Sequence, residues 1–200
     1  MSRSSPEKHI FVVGIDEAGR GPLAGPVAVG ACLIRASDSR RFTGFKDSKK
    51  LSEKNREAWL LRMRRWKKEG VIDYAVCFAS SRMIDKEGIV PAVRSALARA
   101  ISKLAPDPSK TLVLLDGGLK APLEFKNQKT IIRGDEKEPA IALASIAAKV
   151  SRDRLMKRLA KKYPRYAFEV HKGYGTLRHR TAIRAFGLSP EHRISFCRNV

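Results

Sequence analysis

A glycine-rich turn with two adjacent carboxylates separates the first two β-rich runs of the chain, and it restricts the fold more than any other feature. Residues 10–15 and 27–34 have the compact apolar composition of strands, and Asp16 and Glu17 follow the first of them. Because side chains alternate between the faces of a strand, neighbouring carboxylates can converge on one point only where the strand has ended. The sequence therefore predicts that the first strand ends before Asp16 and that the two carboxylates belong to a catalytic loop. The alternative interpretation of this segment is a plain acidic turn between two strands that binds no ligand.

The G-x-G-x-x-A spacing of residues 19–24 also matches a dinucleotide-binding fingerprint, but its context differs. That fingerprint opens a helix whose N-terminus meets the pyrophosphate, whereas two prolines interrupt this loop and a strand follows it. A P-loop is excluded because no Gly-Lys-Ser/Thr follows the turn. The turn of Gly19, Arg20 and Gly21 therefore offers backbone groups and a guanidinium that can meet a sugar or a phosphate beside the acids.

The rest of the chain has the patterns of an α/β protein. A third apolar run predicts antiparallel pairing of the first three strands, and two later short runs are typical of buried strands. The last long helix is apolar nearly all round in its first half, which we expect to be buried. The later predicted strands cover residues 71–79, 111–115 and 129–133, and the predicted helices cover residues 52–69, 89–104, 139–162 and 177–186.

Acidic residues stand at the ends of three predicted strands. Asp16 and Glu17 follow the first strand, Asp116 ends a later one, and Asp135 follows the last. Open α/β sheets place their ligands at the C-terminal ends of strands, so these carboxylates are expected to lie together, and a divalent cation would neutralise their repulsion. Oxygen ligands favour Mg²⁺ or Mn²⁺. As alternatives, Asp116 could form a turn with the glycine after it, and Asp135 could cap the next helix.

The charge balance of the chain predicts a polyanionic partner. The sequence has 41 Lys and Arg against 20 Asp and Glu, a formal net charge of +21 and a pI near 10.4. Solubility alone needs a net charge of only about 2 to 8 in a small domain. Basic runs at residues 62–68 and 152–165 are suited to phosphate contacts, whereas a solvated helix face is the alternative. Nucleic acid is favoured over a membrane because no basic amphipathic helix stands apart from the predicted core.

Length and hydropathy predict one folded domain with at most a small appendage. The 200 residues are 43% hydrophobic, enough to bury a core. The first nine residues lack the apolar segment of a signal peptide, and the apolar run at residues 140–148 is well short of the roughly 18 residues of a membrane span. These features predict a cytoplasmic protein that does not enter a membrane.

Cysteine and histidine positions do not predict a zinc site. The three cysteines are far apart without a C-x-x-C pair, so they are expected to be reduced thiols. The four histidines also lack ligand spacing and are expected to be surface or hydrogen-bonding residues. These residues are Cys32, Cys77, Cys197, His9, His171, His179 and His192.

Taken together, the motifs closely resemble those of bacterial ribonuclease HII. The resemblance spans residues 14–196, and the matching segments, in order, are GIDEAGRGPLAGPV, DSKKLS, LLDGG, GD, IALASIAAKVSRDR, HKGYGT and HRISF. It implies a ribonuclease H-like mixed β-sheet flanked by helices over residues 1–162, and a C-terminal helical extension over residues 163–200 that contributes to substrate binding. Ribonuclease HIII carries a sizeable N-terminal domain, whereas only about nine residues precede the first strand here.

The same resemblance implies an endonuclease that acts as a monomer. Its substrates would be RNA–DNA hybrid duplexes and duplex DNA that contains single ribonucleotides. The resemblance assigns Asp16, Glu17, Asp116 and Asp135 to catalysis and to two divalent ions, Mg²⁺ or Mn²⁺. Two such ions, about 3.5–4 Å apart, would activate a water and stabilise charge on the phosphate and the leaving 3′-oxygen. The products would carry 5′-phosphate and 3′-hydroxyl ends.

The resemblance also implies substrate-binding residues. Gly19, Arg20 and Gly21 correspond to the turn that recognises the ribose 2′-hydroxyl, the group that distinguishes RNA from DNA. Tyr174 corresponds to an aromatic residue that packs on the sugar after the ribonucleotide, and Lys49 is expected to approach a phosphate. As alternatives, Tyr174 could be an ordinary half-buried loop residue, and Lys49 could be a surface lysine.

Two functions of other classes stay open at this point. A non-enzymatic RNA-binding protein would explain the net charge of +21 but not the acids at the strand ends, which would repel its ligand. Another nuclease of the same fold, acting on branched DNA, could share the carboxylates but has no evident use for the glycine turn. Metal-dependent turnover would distinguish a ribonuclease from a non-enzymatic RNA-binding protein. Challenge with all-DNA duplexes would distinguish it from a nuclease that acts on branched DNA.

Overall fold

The computed structural model describes residues 9–42 and 51–200 and has one five-stranded sheet in the order β3–β2–β1–β4–β5. The strands are β1 Phe11–Ala18, β2 Val27–Arg35, β3 Ile72–Ala79, β4 Thr111–Asp116 and β5 Gln128–Ile131. The helices are α1 Glu53–Lys68, α2 Ser81–Glu87, α3 Ile89–Leu104, α4 Gly134–Lys137, α5 Pro139–Lys162, α6 Phe168–His171 and α7 Leu177–Phe186. Short 3-10 helices cover Ala36–Arg41, Pro164–Tyr166 and Ile194–Phe196.

The sheet is mixed, as the sequence predicts. Strand β2 pairs antiparallel with β1 and with β3, whereas β4 pairs in parallel with β1 and with β5. Helices lie on both faces of this sheet, so the predicted α/β class and the ribonuclease H-like mixed sheet are confirmed. Because β1 and β4 are parallel neighbours, their C-terminal ends reach the same edge of the sheet.

Strand β1 is longer than the sequence predicts. Asp16 and Glu17 lie inside it, paired with Gly30 and Val29 of β2, so the prediction that the strand ends before Asp16 is wrong. The ladder continues because β2 is long enough to pair with β1 as far as Ala18. The last strand is also displaced from its prediction, and α2 was not predicted at all.

Two hydrophobic layers hold the sheet between helices. One face packs against the small and branched residues of α3, and the other packs against the apolar first half of α5 together with α1. As expected, α5 is buried nearly all round over this half. The α5 backbone comes close to the sheet at two glycines: a Cβ added to Gly14 would lie 2.1 Å from the carbonyl carbon of Ala140, and one added to Gly30 would lie 2.2 Å from the carbonyl oxygen of Ala144.

We expect Gly30→Ala to lower the melting temperature, because its Cβ would displace the backbone of α5 at Ala144. Overpacking of this kind costs about 1–3 kcal/mol, and each kcal/mol is worth about 2–4 °C in a chain of this size. Gly118→Ala is the matched control, since an added Cβ meets nothing within 4 Å there. Equal melting temperatures for the two variants would contradict this packing.

The C-terminal residues form a third hydrophobic cluster against the end of α5 and the loop after β1. A β-bridge joins Ala24 of that loop to His192. The ring of His171 stacks on His179 with 4.3 Å between centroids, and the Nε2 atoms of His179 and His192 are 3.0 Å apart. Burial lowers the pKa of His179 to about 4, so this ring is neutral near pH 7. The domain boundary at residue 162 stays a prediction.

Candidate functional site

Three carboxylates meet at the sheet edge formed by the ends of β1 and β4. Asp16 is buried with 3% of its surface exposed, while Glu17 and Asp116 are partly exposed. Asp116 is close enough to both other acids to raise the pKa of each. The parallel pairing of β1 and β4 produces this convergence, because it brings the ends of two strands together from distant parts of the sequence.

Ionisation of Asp16 and of Glu17 is costly without a cation. Burial, helped by the negative charges of Glu17 and Asp116, raises the pKa of Asp16 to about 7, although a hydrogen bond with Ser145 opposes the shift. Burial also raises the pKa of Glu17, against the Arg20 guanidinium whose Nη1 lies 3.3 Å from Glu17 Oε1. A bound cation would remove this penalty by favouring the charged carboxylates.

Asp135 lies in a different element than predicted. It is 1% exposed and lies in the short helix α4, after β5 has ended. The N–H of Gly134 donates a 2.7 Å hydrogen bond to Asp116 Oδ1, which ties this segment to the end of β4. Across residues 9–42 and 51–200, no three His, Cys, Asp or Glu side chains are arranged so that they could hold a metal ion by themselves.

The turn after β1 is built around two glycine conformations and a buried arginine. Gly19 has a φ of +91°, and a Cβ there would lie 1.9 Å from Arg152 Nε. Arg152 is 1% exposed and donates hydrogen bonds to the carbonyls of Pro26 at 2.9 Å and Ala24 at 3.3 Å. Gly25, with a φ of +83°, turns the chain back into β2. The prediction that Arg152 contacts phosphate is therefore wrong, because α5 directs it into the loop.

Other cations of the basic run on α5 form ion pairs with α1. Arg154 Nε lies 3.0 Å from Glu57 Oε1, and Lys157 Nζ lies 2.5 Å from Glu53 Oε1. The cations later in this run and most of those at residues 62–68 are exposed, so they retain the predicted access to phosphates. None of the described helices has both the length and the hydropathy needed to cross a membrane.

A cleft of about 260 Å³ joins Asp16 and Glu17 to Gly19 of the glycine turn and to Tyr174. Tyr174 is 46% exposed and follows α6, far from β1 in sequence. The cleft places it with three of the predicted site residues; the lining also includes cations and a hydroxyl that were not predicted. The lining residues that carry this chemistry are Asp16, Glu17, Gly19, Arg56, Ser145, Lys149 and Tyr174. Lys49 lies outside the described residues.

Arg56, Ser145 and Lys149 are the residues of the cleft that the sequence analysis missed. Lys149 Nζ donates to Asp153 Oδ1 at 2.9 Å, and Arg56 Nη2 lies 3.9 Å from Asp153 Oδ2, so one buried acid holds both cations. Ser145 and Lys149 are four residues apart and so share one face of α5. Polar residues within the apolar run of α5 could have indicated that Ser145 and Lys149 face a site. Arg56 lies on another helix, and its sequence context gave no such indication.

Comparison with known protein families gives a consistent match. A family model described as Ribonuclease HII matches residues 13–199. A ribonuclease HII from Endomicrobium trichonymphae is 48% identical over 185 residues, which are 92% of this chain and 84% of the relative. Another from Caldicellulosiruptor bescii is 44% identical over 97% of this chain and 90% of its own length.

Solved structures share the fold. Ribonuclease HII from Archaeoglobus fulgidus, determined in complex with PCNA, is 27% identical with a TM-score of 0.75, and covers 92% of this chain and 94% of its own. Ribonuclease H2 from Pyrococcus horikoshii is 25% identical with a TM-score of 0.74, over 92% and 93% of the two chains. Bst-RNase HIII in complex with Mn²⁺ is 18% identical with a TM-score of 0.65, over 91% and 64% of the two chains, a likeness of fold alone.

Proposed function

We propose, because the chain belongs to the ribonuclease HII family, that Asp16, Glu17, Asp116 and Asp135 form its catalytic site. Enzymes of this family are metal-dependent endonucleases that hydrolyse RNA in RNA–DNA hybrids and cleave duplex DNA at single embedded ribonucleotides, and this chain is such an enzyme. The observation that carries the assignment is the shared cleft, which joins a buried carboxylate at a strand end to the glycine turn and to Tyr174.

The donor set fits a hard divalent cation. All four candidate ligands are carboxylates, which suit Mg²⁺ or Mn²⁺. Mg²⁺ is usually held by one or two carboxylates together with waters and substrate phosphates. A site in which no three described side chains could hold the ion by themselves is therefore compatible with Mg²⁺. Two such ions, held by these carboxylates, would supply activation of a water and neutralisation of charge on the scissile phosphate and the leaving 3′-oxygen.

Neighbouring groups fix three of the four carboxylates before substrate arrives. Asp16 accepts hydrogen bonds from Ser145 and, at 2.8 Å, from the N–H of Glu17, while Arg20 holds the Glu17 side chain. The N–H of Gly134 fixes Asp116. Such preorganisation reduces the reorganisation needed at the moment of reaction and so lowers the barrier.

The other side chains of the cleft supply recognition in this proposal. The turn at Gly19 presents backbone groups to the ribose 2′-hydroxyl, and Tyr174 packs against the next sugar. Arg56 and Lys149, which line the same cleft as Asp16, bind phosphate oxygens. The scissile phosphate is thereby placed over the carboxylates, and hydrolysis leaves a 5′-phosphate and a 3′-hydroxyl.

Divalent cations are expected to be required for cleavage and to bind through Asp16. A chelator should abolish cleavage of an RNA–DNA hybrid, and added Mg²⁺ or Mn²⁺ should restore it. Electron paramagnetic resonance of Mn²⁺ with the hybrid present should show weaker binding to Asp16→Asn than to wild type, with the exposed Glu87→Gln as the matched control. Cleavage that persists in chelator, or equal Mn²⁺ binding by both variants, would contradict the site.

The basic surface should make substrate binding strongly dependent on salt. A plot of log affinity against log salt is expected to be linear, with a slope of about −0.9 for each phosphate neutralised on B-form DNA. Binding of a fluorescent hybrid to the Asp16→Asn variant measures this slope without turnover. A flat plot would show that the net charge of +21 serves another partner.

A further inference from the structure

Arg193 is fully buried behind the glycine turn, although it lies far away in the sequence. It is 0% exposed, and its guanidinium donates three hydrogen bonds to backbone carbonyls after β1. Nη2 donates to Gly19 at 2.6 Å, Nη1 to Arg20 at 2.7 Å, and Nε to Gly25 at 2.9 Å. A single side chain thus holds both ends of the turn.

These hydrogen bonds fix the direction of the amides on the opposite side of the turn. In a planar trans peptide the C=O of one residue and the N–H of the next point in opposite directions. With the carbonyls of Gly19 and Arg20 directed at Arg193, the N–H groups of Arg20 and Gly21 face away from it. Neither N–H has an acceptor among the residues that the structure describes.

The guanidinium is itself held in place by its neighbours. The Asp85 carboxylate accepts hydrogen bonds from the N–H groups of Ile194 and Ser195, both at 2.9 Å, and so anchors the backbone directly after Arg193. The Phe196 ring centroid lies 5.2 Å from Arg193 Cζ. Burial and the charge of Arg152 lower the pKa of Arg193 to about 9, which leaves the guanidinium charged at neutral pH.

We propose that Arg193 is a positioning residue that aims the N–H groups of Arg20 and Gly21 at the ribose 2′-hydroxyl, without touching the nucleic acid itself. This inference rests on the proposed function of the turn. It predicts that ribose selectivity depends on a buried side chain of the C-terminal segment. A guanidinium suits this role because its planar fork can donate to several carbonyls at once, which an ammonium group cannot reproduce with the same geometry.

The test compares two duplexes that differ only in one 2′-hydroxyl, bound to protein with the Asp16→Asn substitution so that no cleavage occurs. With Arg193 intact, the duplex with one ribonucleotide should bind more tightly than the all-DNA duplex. Arg193→Lys should bring the ratio of the two affinities close to one while all-DNA binding changes by less than about twofold, because phosphate contacts dominate affinity. In the otherwise wild-type enzyme, Arg193→Lys should lower kcat at least tenfold with little change in KM.

Tyr166→Phe is the matched control for loss of stability. Its hydroxyl donates to the carbonyl of Gly187 at 2.9 Å in the same C-terminal segment, away from the turn. Arg193→Lys is the milder change because it retains the buried charge, whereas Arg193→Gln removes that charge. The affinities of both variants are measured below their melting temperatures. An unchanged affinity ratio in folded Arg193→Lys, or an equal loss of the ratio in Tyr166→Phe, would overturn the role of Arg193. No ribose preference with Arg193 intact would instead overturn the proposed function of the turn.

Discussion

Asp16→Asn is expected to reduce cleavage of an RNA–DNA hybrid by several orders of magnitude while the protein stays folded. Asparagine keeps the size of the side chain but removes the charge that would bind a divalent cation at the centre of the cleft. Metal-assisted stabilisation of transition-state charge is worth several kcal/mol, and each tenfold loss of rate corresponds to about 1.4 kcal/mol. Single-turnover cleavage at saturating Mg²⁺ measures the loss.

The same substitution should raise the melting temperature in the absence of metal. Burial raises the pKa of Asp16 to about 7, so above that pH the folded protein must hold a buried negative charge beside Glu17 and Asp116. Stability from this group is present at low pH and is lost as pH rises through 7, and Asn avoids the loss. Glu87→Gln, an exposed change on α2, should alter neither rate nor melting temperature. Near-normal cleavage by Asp16→Asn would remove Asp16 from the site.

Tyr174→Ala should slow cleavage at a lone ribonucleotide about a hundredfold, since a misplacement of about 1 Å can cost that much in rate. Binding should change far less, because phosphate contacts dominate affinity. The backbone at this position is held independently of the ring: its N–H donates to the carbonyl of His171 at 2.9 Å, and its carbonyl accepts from His179 Nδ1 at 2.9 Å. Removing the ring should therefore leave the loop in place.

Single-turnover cleavage and equilibrium binding of the same duplex separate positioning from affinity at Tyr174. Tyr174→Phe is the matched control, because it keeps the ring that packs against the sugar and should retain most of the rate. If rate and binding fall in parallel for Tyr174→Ala, or if neither changes, the residue serves binding or packing and does not position the scissile bond.

The sequence was sufficient for most elements of the fold but not for α2 or for the end of β1. Apolar runs and helix-ending signals placed most strands and helices close to their observed bounds. Alternation of side chains suggested that Asp16 and Glu17 had to lie outside the strand, yet both stay in the ladder. The site instead gathers its charge by parallel pairing with β4, which brings Asp116 beside them. The strand-end positions of these acids did predict that they would lie together, whereas the choice of β4 as the parallel neighbour of β1 cannot be inferred from local patterns.

The supports of the site were also hidden from the sequence. In a chain with 41 Lys and Arg, nothing local distinguishes a buried arginine from a phosphate-binding one. Arg152 and Arg193 are both buried because carbonyls of the turn after β1 need donors, and those carbonyls meet them only once the chain has folded. Asp16, Glu17 and Gly19, which line the cleft, were therefore easier to predict than the two arginines that hold the turn from behind.

Digestion of a DNA duplex that contains one ribonucleotide tests the proposed site and its ribose recognition most directly. With Mg²⁺ or Mn²⁺, the enzyme is expected to cut the strand at the ribonucleotide, leaving 5′-phosphate and 3′-hydroxyl ends, and to leave all-DNA and all-RNA duplexes intact. Chelator or Asp16→Asn should stop the reaction. Cleavage of the all-DNA duplex at a similar rate, or cleavage at the ribonucleotide that does not depend on metal and on Asp16, would contradict the proposal.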